Sequence, residues 1–166
     1  NGAAIQLINL KLAVVVLHYG ELKTTEICLE SILRQRSAVP QLDVIVVDNT
    51  GKNQRPLQSE HDSELHYVAT EHNLGYAGGM NVGILKALEQ DADVVMLLNN
   101  DIELAETAFA AITKRMASFN RPSVLGGRIY FQDERARIWF AGGTIHKWLC
   151  RSRHRSFKKI AKDQEK

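Results

Sequence analysis

Three stretches of this chain run apolar without a break and then turn polar at once: "KLAVVVLHYG", "LDVIVVDNTG" and "ADVVMLLNND". A strand with one face in water alternates apolar and polar residues. An unbroken apolar run instead suits a strand covered on both faces, as in a parallel sheet between two helix layers. Such a sheet directs the ends of its strands to one edge, so the polar residues after each run are expected to meet there.

The segments between the runs support this. "ELKTTEICLESILRQR" carries Cys28, Leu29, Ile32 and Leu33 at helical spacing, and "GGMNVGILKALEQ" carries Met80, Ile84, Leu85 and Leu88. "ELAETAFAAITKRMASF" reads as a third helix with Ala105, Ala108, Phe109, Ile112 and Met116 inward. "ELHYVATEHN" reads as a short, weaker strand, and the polar gap from Lys52 to Ser63 as a loop with a short helix. The connections are long enough for right-handed crossovers. The fold class expected is α/β, a three-layer sandwich with a mostly parallel sheet. After Pro122 the pattern changes, and "SVLGGRIYF", "QDERAR" and "IWFAGGTI" read as a strand pair around a charged turn.

The 166 residues suit one domain with a sizeable core, and no apolar run approaches the roughly 20 residues that cross a bilayer. Asn1–Ala4 lacks a signal-peptide pattern. Cys28 and Cys150 have neither disulfide-framework nor metal-ligand spacing, which favours a reducing, cytoplasmic setting. Net charge is +2 but uneven: residues 144–166 hold eight basic and two acidic side chains, leaving thirteen and seventeen for the rest. Such a tail suits an anionic surface, a nucleic acid or a membrane. The plainer expectation is a solvated or fraying helix end.

Ligands of open α/β sheets bind outside the carboxyl ends of the strands. Four polar segments lie there: His18-Tyr19-Gly20, Asp48-Asn49-Thr50-Gly51, "EHNLGYAGG", and Asn99-Asn100-Asp101. Asp101 fits a hard divalent cation, Mg²⁺ or Mn²⁺, which takes one or two carboxylates and completes its shell with phosphate oxygens and water. Capping of the next helix is the alternative role for Asn100 or Asp101. Gly75, Gly78 and Gly79 precede a helix, where backbone amides can approach an anion closely. No Gly-Lys-Ser/Thr occurs, so this is no Walker loop, and the loop follows the third strand, not the first. Asp48 is either an acceptor for a ribose or base, or a turn former in "DNTG".

In order, "VVVLHYG", "CLESILRQ", "DVIVVDNTG", "HNLGYAGGMNVGILKAL" and "ADVVMLLNND" resemble family 2 glycosyltransferases of the GT-A fold, closest to the rhamnosyltransferase-like branch. "GGRIYF" and "IWFAGG" extend the resemblance, which covers roughly residues 12–145. It implies a nucleotide-sugar-binding domain over residues 1–145 and a basic tail over 146–166. The implied donor is a nucleotide-diphosphate sugar, linked to dTDP, UDP or GDP. Asp48 matches the nucleoside-contacting acid, with His18, Tyr19, Gly20 and Asn49 beside it. Asn73, Gly75, Gly78, Gly79 and Asn81 match the segment lining nucleotide and sugar. Asn99-Asn100-Asp101 matches the DXD-like triplet, with Asp101 the metal ligand and Asn99 in place of the first Asp.

The implied reaction transfers the sugar, with inversion, to an acceptor hydroxyl of a glycan or lipid-linked glycan, and no nucleic acid is involved. The general base belongs to an acceptor-binding half expected beyond "IWFAGGTIHKW", so the chain reads as truncated and the catalytic residue is unknown. Asp133, Glu134 and His146 are expected in surface roles. Two departures from the family pattern are His18 and Met80, where Asn is common; Met80 also fits the apolar stripe. The alternative reading is a non-catalytic binding module completed by a partner chain or homodimer. A nucleotidyltransferase would carry a glycine-rich basic loop after the first strand, and "HYGELKTTE" fits that poorly. The implied location is the cytoplasm, with the basic tail available to the inner face of the membrane.

Overall fold

The computed structural model describes residues 10–52 and 65–161. They belong to two compact units, residues 1–118 and 119–166. The expected loop at 52–63 lies almost wholly outside the described residues, as do Asn1–Ala4 and the last five residues of the tail.

The first unit runs β1 (Leu12–His18), α1 (Leu22–Leu33), a 3₁₀ turn (Arg36–Ala38), β2 (Leu42–Asp48), β3 (Leu65–Ala69), α2 (Gly75–Glu89), β4 (Val94–Asn99) and α3 (Ala108–Met116). The strands form one parallel sheet in the order β3-β2-β1-β4. All seven residues of β1 are buried, which is why its sequence never alternates. Its even-numbered side chains, Leu12, Val14 and Val16, pack with Cys28, Leu29 and Ile32 of α1 and Phe109 of α3. Its odd-numbered ones, Ala13, Val15 and Leu17, pack with Met80 and Ala87 of α2. The unit is therefore the three-layer α/β sandwich expected from the sequence. Each fully buried Val or Leu contributes about 1.5–3 kcal/mol, so the sheet dominates the unit's stability.

Two helix readings need correction. The buried residues of α2 are Gly79, Met80, Gly83 and Ala87, whereas Leu85 and Leu88 are exposed. The helix lies so close to β1 and β2 that its contact face must be small. A Cβ on Gly83 would sit 2.2 Å from Val15 Cγ1 and 3.1 Å from Val47 Cγ2. The third helix starts at Ala108, and Ala105 is exposed. Before it the chain runs irregularly over α1, where the Leu104 amide donates to Ser31 Oγ (3.0 Å) and Ile102 and Leu104 join the core.

In the second unit β5 (Ile129–Tyr130) pairs antiparallel with β6 (Ile138–Phe140), the strand pair expected around the charged turn. Glu134 lies in that turn, 2.8 Å from the Arg137 guanidinium. The segment after residue 157 runs beside β6, with the Ile138 amide donating to the Lys159 carbonyl and the Lys158 amide to the Ile138 carbonyl (both 2.9 Å). The described part of the basic tail, up to Ala161, is not a helix end. β7 (Gly143–His146) and β8 (Arg151–His154) form an antiparallel hairpin that straddles position 145. "GTIH" and "RSRH" alternate weakly and read as polar, but each strand satisfies the other's backbone, which no fraying helix end could do.

Candidate functional site

The parallel register aligns the strand ends. His18 is opposite Asp48, Asp48 opposite Ala69, and Leu17 opposite Asn99. With about 4.8 Å between neighbouring strands, the ends of β2 and β4 lie roughly 10 Å apart across β1. The chain steps from β1 through β2 to β3 and then returns to the other side of β1 to form β4. The β1–β4 gap is thus the switch point at which open α/β sheets bind ligands. His18-Tyr19-Gly20 lies on one side of it and Asn99-Asn100-Asp101 on the other.

A hydrogen-bonded bridge spans this gap. His18 is fully buried, with Nδ1 2.7 Å from Thr25 Oγ1. Asn100 Nδ2 donates to Thr25 Oγ1 (2.9 Å) and to the Tyr19 carbonyl (3.2 Å). His18 and Asn100 therefore brace the two strand ends against each other. Tyr19 and Gly20 are exposed just above them.

The second cluster lies at the end of β2. Asp48 is fully buried. Oδ1 accepts from the Thr50 amide (2.9 Å) and hydroxyl (2.6 Å), and Oδ2 accepts from the Tyr67 hydroxyl (2.7 Å). This carboxylate forms the turn of "DNTG", the alternative role expected from the sequence. Asn49 is almost fully buried. Its Nδ2 donates to Asn73 Oδ1 (3.0 Å) and the Gly75 carbonyl (3.1 Å), while Oδ1 accepts from the Leu74 amide (2.9 Å). Asn73 Oδ1 also accepts from the Gly75 amide (2.8 Å), in a turn where Gly75 takes φ +70°. Asn49 and Asn73 thus fasten the glycine loop to the sheet. Gly79 allows this fastening, since a Cβ there would lie 2.5 Å from Leu17 Cδ1 and 3.1 Å from Asn49 Cγ.

Asn49→Ala removes these bonds while leaving the Leu74 amide without its acceptor, at a cost of about 2 kcal/mol. Exchange of the Leu74 amide with deuterium should accelerate roughly 30-fold. Unchanged exchange would show that the loop holds itself.

Gly78 is half-buried and Asn81 exposed on α2, whereas Met80 is buried with the core around Leu17 and Val47, so it packs and does not face the rim. Asn99 and Asp101 are exposed at the end of β4. No described residue hydrogen-bonds the Asp101 carboxylate. That carboxylate fits a divalent cation shared with phosphate oxygens, which needs few protein ligands. No cluster of three or more His, Cys, Asp or Glu suited to a metal occurs among the described residues.

Beneath Asp101, Cys28 donates to the Asn99 carbonyl (3.7 Å). Burial, with the Asp101 charge adding to it, pushes the Cys28 thiol up to about 12. An unfolded thiol ionises near 9, so stability from this group is full below pH 9 and is lost as pH rises towards 12. The slope of 1.36 kcal/mol per unit makes the whole loss about 4 kcal/mol. Cys28→Val should lose that much less than the parent between pH 9 and 12 in denaturant titrations. Parallel losses in the two proteins would contradict the assignment.

Sequence reasoning missed Thr25, Tyr67 and Thr70. Thr25 joins His18 to Asn100, Tyr67 engages Asp48, and Thr70 Oγ1 donates to the Asp48 carbonyl (3.0 Å). Their positions, on α1, within β3 and just after it, carried no turn signal. The packing of α1 on the sheet brings Thr25 to the rim, and the pairing of β3 with β2 brings Tyr67 and Thr70.

Comparison with known proteins agrees with this architecture. The chain is 35% identical over 63 residues to the low-salt glycan biosynthesis hexosyltransferase Agl10 of Haloferax volcanii, a match spanning 37% of this chain and 20% of that protein. The crystal structure of residues 1–349 of S. aureus TarS superposes with a TM-score of 0.50 at 22% identity, over 62% of this chain and 31% of that one. The chain thus spans less than a third of either protein's length, and the TarS likeness speaks for the GT-A-like fold alone. A model of the family described as Glycosyl transferase family 2 matches residues 13–165, nearly the whole length. On that match the chain belongs to glycosyl transferase family 2.

Proposed function

We propose that the chain is the nucleotide-sugar-binding part of an inverting, metal-dependent glycosyltransferase acting in glycan or polysaccharide synthesis. The observation that carries this reading is the rim: Asp101 stands exposed at the switch point, beside a bridge and a glycine loop held rigid from below. A nucleotide-diphosphate sugar would lay its nucleoside towards the β2 end, where Asp48 is available to exchange an internal hydrogen bond for one to the base. Its diphosphate would lie near Asp101. Gly75, Gly78 and Gly79 would admit the donor close to the backbone, with Asn81 beside them.

Departure of the sugar leaves negative charge on the diphosphate, and a bound Mg²⁺ or Mn²⁺ supplies the neutralising positive charge. The chain's own task is to hold Asp101 ready for that ion and to keep the donor rigid, so that an acceptor hydroxyl can attack the opposite face of the sugar. A general base must take the proton of that hydroxyl. Asp133 and Glu134 are exposed in the β5–β6 turn, and His146 is exposed on β7. In this proposal the base is left to an acceptor-binding part, as the family resemblance implies. The branch resemblance favours a deoxysugar such as rhamnose on a dTDP, UDP or GDP carrier, transferred in the cytoplasm.

One observation favours a second reading, a binding module completed by another copy. Leu97 on the edge strand β4 and Leu85 and Leu88 on α2 are exposed apolar surface that a second chain would cover. Calorimetry with UDP, GDP and dTDP, with and without Mn²⁺, tests both readings. Metal-dependent binding of one nucleotide is expected, and binding of none would remove both. Turnover with an acceptor by the isolated chain would overturn the assignment of the base.

A further inference from the structure

We propose that the β7–β8 hairpin is a docking surface for an anionic lipid bilayer, with its turn entering the interface and its cations holding lipid phosphates. The turn Lys147–Cys150 presents Trp148 at 94% exposure and Leu149 at 62%, with Ile145 at 77% just below. An exposed Trp beside aliphatic side chains costs solvation in water and gains it at the level of lipid headgroups. The charge pattern selects the kind of surface. Residues 144–161 hold six Lys or Arg and no acidic residue. Arg153, Arg155 and Lys159 line an open cavity of about 850 Å³ together with Thr144, Ser152 and Ser156 and with the rings of His154 and Phe157. None of these three cations forms a salt bridge among the described residues. Three cations around one open cavity suit an anion with several oxygens, and a phosphate has them.

The base of the hairpin is fixed while its tip is bare. His154 stacks edge-on against Phe140 (5.5 Å) and Phe157 (6.0 Å), and the Arg155 amide donates to the Gly142 carbonyl (2.8 Å). A rigid base holds the cations around the cavity while the turn projects. Neither feature alone would identify a bilayer, since cations alone suit any anion and an exposed Trp alone suits any apolar partner. Together they match a surface that is apolar inside and anionic at its rim.

The test is co-sedimentation of the 166-residue chain with vesicles of phosphatidylcholine alone, or with about one-third phosphatidylglycerol. Binding is expected to the anionic vesicles only, and to weaken as salt rises. Arg153→Glu with Arg155→Glu should lower the partition coefficient at least about 30-fold, and Trp148→Ala about tenfold. Deuterium exchange of the position-155 amide, which is bonded to the Gly142 carbonyl at the base of the hairpin, confirms that each variant keeps the hairpin folded, and nucleotide calorimetry, which reads the first unit, separates this outcome from that of the proposed function. Equal binding to both vesicle types, or full binding by Trp148→Ala, would overturn the proposal. So would release of the chain from vesicles by millimolar pyrophosphate, which would mark the cavity as a site for a soluble phosphate ligand.

Discussion

Asp101→Ala is expected to abolish the dependence of nucleotide-sugar binding on Mn²⁺ while leaving the fold intact. Changes to residues that only orient metal ligands already cost 10–100-fold in affinity. Loss of the principal carboxylate should therefore cost at least about 100-fold, read by calorimetry as binding that no longer responds to the ion. The fold should tolerate the change because Asp101 is exposed and its carboxylate accepts no hydrogen bond from a described residue. Its substitution should shift stability by no more than about 0.5 kcal/mol. A second readout needs neither donor nor metal. The Asp101 charge helps to raise the Cys28 thiol, after the larger effect of burial. Asp101→Ala should therefore move thiolate formation to lower pH, seen by ultraviolet absorbance. Metal dependence that survives the substitution would mean another residue holds the ion, even if the thiol shifts as expected.

Gly83→Ala should destabilise the first unit by about 2–3 kcal/mol, towards the upper end of overpacking costs. Two effects oppose each other. Alanine is favoured over glycine inside a helix by about 1 kcal/mol. Against this, the new Cβ would meet Val15 Cγ1 at 2.2 Å. Val15 is fully buried on the inner strand β1 and is stiff at its branched Cβ, so it cannot swing aside. The helix must lift from the sheet, which loosens the packing of Met80 and Ala87 as well. Steric cost exceeds propensity, and for a unit near 100 residues the melting temperature should fall by roughly 10–20 °C. A rise in melting temperature would show that α2 is not pressed against β1 and β2 as described. The same close approach holds Gly79 over Leu17 and Asn49, so the packing of this helix and the shape of the glycine loop are one feature.

The layered fold was legible because burial on both faces leaves a mark in sequence that is hard to mistake. The runs at Leu12–Leu17, Val44–Val47 and Val94–Leu98 are apolar throughout, and each lies in a strand of the parallel sheet. The α2 face was misread because hydrophobicity is a poor guide where backbones nearly touch. Leu85 and Leu88 are more apolar than Gly83, yet Gly83 is the buried one. The hairpin in the basic tail was misread because charge dominated its pattern, while its strands are held by each other's backbone and by the rings around His154.

At the rim, sequence alone determined which chemistries were present: amides, a turn glycine and carboxylates after buried strands, a pattern set by the covalent order of the chain. Only the tertiary structure decided how they divide the work. His18 and Asn100 share a threonine, Asn49 and Asn73 pin a loop, and Asp48 is engaged by Tyr67, while Asp101 stays exposed. The reason is physical. A buried polar group must find a partner within about 3 Å, and that partner comes from a neighbouring strand or helix many residues away.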